Sequence, residues 1–147
     1  MEQEALKKAA AKINSTKDTK WIVAGHSRGG RMAANYASKY PQTLSGMILL
    51  GTSHPKEKDL TNLSFPVLKI SASEDGLASP SEIEQFSDNL PSSTNFVMIE
   101  GGNHSQFGYY GYQFGAGSAL ISREQQQEII LKEILNYLRL VDLIRNK

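Results

Sequence analysis

The sequence predicts an α/β fold, a parallel sheet of about four strands with helices on both faces, in a single domain over residues 1–147. Two observations predict it. Short, continuously apolar runs alternate with helical segments, the rhythm of strand–helix–strand units. The runs lack polar alternation, as expected of strands covered on both faces. The helices between them are punctuated by proline stops and serine caps, so the two element types separate cleanly along the chain.

In order, Glu2 to Ile13 reads as a helix rich in Ala, Lys and Glu, and Asn14 to Lys20 as a polar loop. Trp21 to Ala24 is the first buried-type strand, followed by a sharp turn over Gly25 to Gly30. Arg28 to Tyr40 reads as a helix with Met32, Ala33, Tyr36 and Ala37 on one face, ended by Pro41. Met47 to Leu50 is the second strand, closed by Gly51, and Pro55 to Asn62 is a charged connector. Pro66 to Ala72 is the third strand. Ser79-Pro80-Ser81-Glu82 combines an N-cap serine, a proline at the first helical position and a glutamate three residues on, a strong helix start. Ile83, Phe86 and Leu90 are its expected buried stripe, and Pro91 stops it. Asn95 to Glu100 is the fourth strand, and Gly101 to Gly117 a loop dense in glycine and aromatics. Ser122 and Gln125 form a second capping box. The last helix runs from Arg123 to Ile144, with Ile130, Ile134, Leu138 and Val141 on one side.

Composition excludes several function classes. Net charge is +1, and Lys and Arg are scattered, which argues against a nucleic-acid partner. The chain has no Cys, so disulfides, thiolate zinc sites and cysteine nucleophiles are excluded. This fits a reducing compartment such as the cytoplasm. No apolar run approaches the roughly 20 residues of a membrane-spanning helix, and no leader-like apolar stretch follows the Lys-rich start.

The chemistry centres on Gly25-His26-Ser27-Arg28-Gly29, a G-x-S-x-G pattern. The pattern is weak alone. Here it follows a buried strand directly and opens a helix directly, the strand–turn–helix context that holds a nucleophilic serine on a strained turn. A side chain at either flanking glycine is expected to collide with its neighbours, and the helix start favours negative charge nearby. A serine nucleophile needs a base, and the base an orienting acid. The sequence offers three histidines, His26, His54 and His104. His104 follows the fourth strand and Asp75 the third, on the edge of a parallel sheet where sites form. The order Ser27, Asp75, His104 is the nucleophile–acid–base order of one hydrolase class. Glu74 competes with Asp75 for the acid role. His26 reads as packing of the turn, and His54 as surface or pocket rim. Phe107, Tyr109, Tyr110, Tyr112 and Phe114 either wall the pocket or pack their loop onto the body. The Arg28 side chain is solvated at the helix start or meets a substrate carboxylate.

Taken together, Trp21 to Gly29, Tyr40-Pro41 followed by Gly46 to Gly51, Glu74-Asp75-Gly76 and Gly102-Asn103-His104 resemble the second half of an α/β-hydrolase. The resemblance covers essentially the whole chain and is nearest to dienelactone-hydrolase-like and carboxylesterase-like members. It implies a serine hydrolase acting on a small-molecule ester or related acyl bond. Ser27 would be nucleophile, His104 base and Asp75 acid, with the Arg28 backbone N–H donating to the oxyanion; His26, His54, Phe107 and Tyr109 are candidate pocket residues. No metal or organic cofactor is implied. The chain departs from the family in having almost none of the strands that precede the serine. The loop that supplies the second oxyanion donor is among them, and one donor is worth on the order of 10²–10³ in rate. The first strand would then present a bare edge open to self-association. The expectation is a piece of a longer protein, or a sheet completed by another polypeptide. The alternative reading is a non-catalytic binding or assembly module derived from such a hydrolase.

Overall fold

A computed structural model describes residues 1–14, 19 and 21–145. The elements are α1 (Glu2–Asn14), β1 (Trp21–His26), α2 (Arg28–Lys39), β2 (Leu44–Leu50), β3 (Val67–Ala72), α3 (Pro80–Gln85), β4 (Asn95–Ile99) and α4 (Arg123–Arg145). The strands form one parallel sheet in the order β1-β2-β3-β4. Most of the loop expected over Asn14 to Lys20 lies outside the described residues, apart from Asn14, which ends α1, and Thr19.

Continuous apolar runs make sense once both faces are covered. Along β2, Met47 and Leu49 face a core with Leu6 of α1 and Ala33 and Ala37 of α2, whereas Ile48 faces a second core with Ile130 and Val141 of α4. Period-2 alternation sends neighbours to opposite faces, so a strand between two helical layers must be apolar at every position. Among the described residues, no helix is long and apolar enough to cross a membrane.

Several sequence expectations shift. Trp21 to Ala24 is not buried on both faces: β1 is an edge strand, Ala24 is exposed and Trp21, Ile22 and Val23 are half-buried. β2 begins at Leu44, three residues before Met47, because parallel pairing with β1 continues down to Trp21. Pro66 stands outside β3. The third helix is short, and its tail becomes a 3₁₀ turn over Ser87–Asn89; Ile83 and Leu90 are buried but Phe86 only partly. On α4, Leu138 is 40 % exposed and Tyr137, at 4 %, takes its place in the buried stripe. The Tyr137 hydroxyl donates to the Pro66 carbonyl at 2.7 Å and accepts from the Met47 N–H at 2.8 Å. Gly46 makes room for it, since a Cβ there would overlap that hydroxyl.

The register pairs His26 with Leu50, Leu50 with Ile70 and Ala72 with Ile99. The C-terminal ends of the strands therefore fall on one edge, and the segments that leave them carry Ser27, Thr52, Asp75 and His104 to the same side. In open parallel sheets that edge is where ligands bind.

Candidate active site

Ser27 stands between the last residue of β1 and the first of α2. Its backbone has φ 53° and ψ −116°, and it is the one non-glycine residue with positive φ among those described. A side chain held there is strained, and strain persists only where its surroundings enforce it. Two contacts do so. The Ser27 N–H donates to the Leu50 carbonyl at 2.9 Å, and the Ser27 carbonyl accepts from Gly30 and Arg31. A Cβ on Gly25 would overlap the Gly29 carbonyl, so strand end and helix start pack backbone to backbone. The flanking glycines are not equivalent, contrary to the sequence expectation. Open space surrounds Gly29, and the second tight position is Gly30, where a Cβ would sit 2.6 Å from Thr52 Cγ2. The helix start must approach the end of β2 closely, and Gly30 is the residue that faces it.

His104 Nε2 lies 2.9 Å from Ser27 Oγ, and His104 Nδ1 lies 2.8 Å from Asp75 Oδ2. Asp75 Oδ1 accepts from the Leu77 and Ala78 N–H groups at 2.8 and 2.7 Å. An ionised carboxylate only accepts, so Nδ1 carries the proton and Nε2 presents its lone pair to the serine hydroxyl. Asp75 and His104 are 3 % and 2 % exposed, which keeps water from competing for this chain of bonds. Glu74 does not share it: its carboxylate accepts from Ser73 Oγ at 3.0 Å.

Backbone ties hold the two turns together. The Ala116 carbonyl accepts from His104 N–H at 3.1 Å and from Gly76 N–H at 3.4 Å, linking the histidine and acid turns. Gln126, fully buried on α4, accepts from the Asn103 N–H and donates to the Asn103 carbonyl, each at 3.0 Å. Nothing in the sequence pattern singled out Gln126, because a polar residue on a helix reads as solvated. Its place on the buried stripe, four residues before Ile130, was the available signal.

Four of the sequence-predicted residues share a cleft of about 320 Å³: Ser27, His104, Arg28 and His54. Arg31, Thr52, Ser53 and Lys56 also line it and were not foreseen. Arg31 is one turn beyond Arg28 and was findable from helical spacing. Phe107 and Tyr109 do not line this cleft. Phe107 is buried and stacks on His26 with ring centroids 5.2 Å apart, and Tyr109 is 78 % exposed beneath the Arg123 guanidinium. Tyr110, whose hydroxyl lies 3.3 Å from His26 Nδ1, also stacks on that histidine, with ring centroids 5.5 Å apart.

His26 thus supports the site from behind, with its ring centroid 4.6 Å from that of His104. Burial, and then the nearby His104, push its pKa from the ordinary 6.5 down to about 4. Its buried Nε2 has no hydrogen-bond partner among the described residues, which suits a neutral ring. A base with a lowered folded pKa stabilises the fold fully above its unfolded value and loses that contribution as pH falls towards the folded one. Thermal stability is therefore expected to fall between pH 6.5 and about 4, and His26→Gln to flatten this segment of the Tm–pH curve, as scanning calorimetry would measure. A His26→Gln curve as steep as the parent's would contradict this. Among the described residues, no group of three or more His, Asp or Glu side chains is arranged to hold a metal ion.

No curated protein matches this chain. A solved α/β structure from Thermoplasma acidophilum, titled a predicted CIB-like hydrolase, superposes over 100 % of this chain and 61 % of its own, at 16 % identity and TM-score 0.65. A thermophilic esterase from Thermogutta terrifontis covers 83 % of this chain and 65 % of its own, at 20 % identity and TM-score 0.60. An alpha/beta hydrolase enzyme from a lagoon-sediment metagenome of Mar Chica, Morocco, covers 72 % and 62 %, at 18 % identity and TM-score 0.62. The chain thus spans less than two thirds of the length of each, and at these identities the likeness is one of fold. The sequence model of the alpha/beta hydrolase family matches residues 4–128, the stretch that holds Ser27, Asp75 and His104, and the chain belongs to that family.

Proposed function

We propose that this chain carries the active site of a serine hydrolase that cleaves carboxylic esters or related acyl bonds through Ser27, His104 and Asp75. The observation that carries the reading is the unbroken hydrogen-bond chain from Asp75 Oδ2 through both ring nitrogens of His104 to Ser27 Oγ. His104 Nε2 takes the hydroxyl proton as Ser27 Oγ bonds to the substrate carbonyl carbon, and the carbonyl π electrons move onto oxygen. The imidazolium then passes that proton to the leaving alkoxide as the C–O bond breaks, leaving an acyl-Ser27. Water, deprotonated by His104 in turn, attacks the acyl-enzyme and releases the acid and free Ser27. Asp75 stays ionised, held by two backbone donors, and stabilises the charged imidazole.

The oxyanion needs donors positioned before the reaction. The Arg28 N–H is the first of α2 and belongs to the turn whose amides precede the intrahelical ladder. As the backbone N–H that follows the nucleophile, at the positive end of the helix, it is our candidate for one such donor. Esterase and lipolytic neighbours in the structural comparison are consistent with an ester substrate.

The test is hydrolysis of 4-nitrophenyl butyrate by the parent and by Ser27→Ala. Turnover in the parent should fall by about 10³-fold or more in the variant, with an unchanged circular dichroism spectrum. Equal turnover would remove Ser27 from the reaction.

A further inference from the structure

We infer that the substrate carries an anionic group, a carboxylate or phosphate, beside its scissile ester, and that Arg28 and Arg31 receive it on the cationic wall of the Ser27 cleft. The inference rests on the serine-hydrolase reading and adds the substrate class.

The cleft over Ser27 and His104 is lined by Arg28, Arg31, Lys56 and His54, and among the described residues by no Asp or Glu. An adjoining cleft of the same volume shares Arg31, His54 and Lys56, and adds Lys39, Lys58 and, among the described residues, one acid, Glu57. The whole chain is nearly neutral, at net +1, so this is a local gathering of cations rather than general basicity. Their charges are unequally engaged. Lys56 is answered by Glu82 at 3.0 Å, whereas neither Arg28 nor Arg31 has an ion pair among the described residues.

Helix physics argues that the arginines are not there for stability. Both stand in the first turn of α2, which has no acidic residue. Cations at a helix N-terminus oppose the macrodipole, and a residue choice that works against its own element usually marks a functional site. The two lie three positions apart, on one side of the helix. Both line one cleft with His54 and Lys56, from the segment that follows β2.

A further cation stands beneath this wall. Lys69 on β3 is fully buried, and its Nζ donates to the His54 carbonyl at 2.8 Å. It has no ion pair among the described residues. Burial lowers its pKa to about 8, which leaves it mostly charged at neutral pH. His54 registers the same field: burial first, then Lys56, Arg31 and Lys69, lower its pKa, with Glu57 as the smaller opposing influence. Guanidinium forks match carboxylate and phosphate oxygens in pairs, so two free arginines beside a nucleophile suit an anionic ester.

Two matched substrate pairs test this. The anion lies on the leaving group in 3-acetoxybenzoate against 3-acetoxybenzamide. It lies on the acyl part in the 4-nitrophenyl monoester of adipate against 4-nitrophenyl hexanoate. In at least one pair the anionic member should be favoured about tenfold in kcat/KM at low salt, mainly through KM. The preference should shrink as salt rises. Arg31→Gln should reduce it to about twofold, and Arg31→Lys, which keeps the charge but loses the fork, should give a preference between those of the parent and of Arg31→Gln. Equal or reversed preference in both pairs, or a preference untouched by Arg31→Gln, overturns the inference and leaves the hydrolase reading standing. If no ester turns over, the hydrolase reading fails. Binding of glutarate against glutaramide, followed by chemical shifts of the arginine side-chain N–H groups, then decides the cleft alone. Tighter glutarate binding that weakens in Arg31→Gln sustains the anion site, and equal binding refutes it.

Discussion

Asp75→Asn is expected to lower ester turnover by about 10⁴-fold while leaving the fold intact. The reason lies in donor counting. Asp75 Oδ1 is occupied by the Leu77 and Ala78 amides, which fixes Oδ2 against His104 Nδ1. An asparagine keeps its oxygen on those two amides and turns its NH₂ towards the histidine. Nδ1 must then accept, so the proton moves to Nε2, and His104 no longer presents a lone pair to Ser27. Glu74→Gln should have little effect, because that carboxylate is bonded to Ser73 Oγ and stands outside the chain. Steady-state kinetics on both variants checks the ranking. A larger loss in Glu74→Gln would transfer the acid role to Glu74.

The second large effect is on the turn itself. Gly25→Ala should destabilise the protein by about 3 kcal/mol or prevent folding, because its Cβ would overlap a backbone carbonyl that cannot rotate away. Gly29→Ala, in the same five-residue pattern, should leave stability unchanged or raise it by up to about 1 kcal/mol, since nothing lies within 4 Å of its Cβ. Urea unfolding of the two variants measures the contrast. Similar midpoints would show that the close approach of β1 and α2 at Gly25 is not what holds Ser27 at its positive φ.

That pair also marks how far the sequence could be read. Strand–turn–helix placement of Ser27 was legible because a continuous apolar run, a glycine turn and a helical stripe are all local signals. The sheet edge shared by Ser27, Asp75 and His104 followed from the parallel order of those runs. That Gly30 rather than Gly29 is the second tight glycine was not legible, since it depends on Thr52, a residue brought in from the end of another strand. Tyr137 displaced Leu138 from the buried stripe for a similar reason: its hydroxyl finds Pro66 and Met47, and no periodicity encodes those partners. The aromatic loop divided in a way composition cannot anticipate, with Phe107 packed on His26 and Tyr112 and Phe114 87 % and 92 % exposed. Gln126 and Lys69 hide for the opposite reason, because each is a polar residue at a buried position whose backbone partners lie far along the chain.

The central claim, that Ser27 is activated by His104, is tested most directly by covalent labelling with a fluorophosphonate, read by intact mass. The account predicts one adduct per chain, absent in Ser27→Ala and strongly slowed in Asp75→Asn. Labelling that persists in Ser27→Ala, or a parent chain that takes no label while its Ser27, His104 and Asp75 remain hydrogen-bonded, would contradict it.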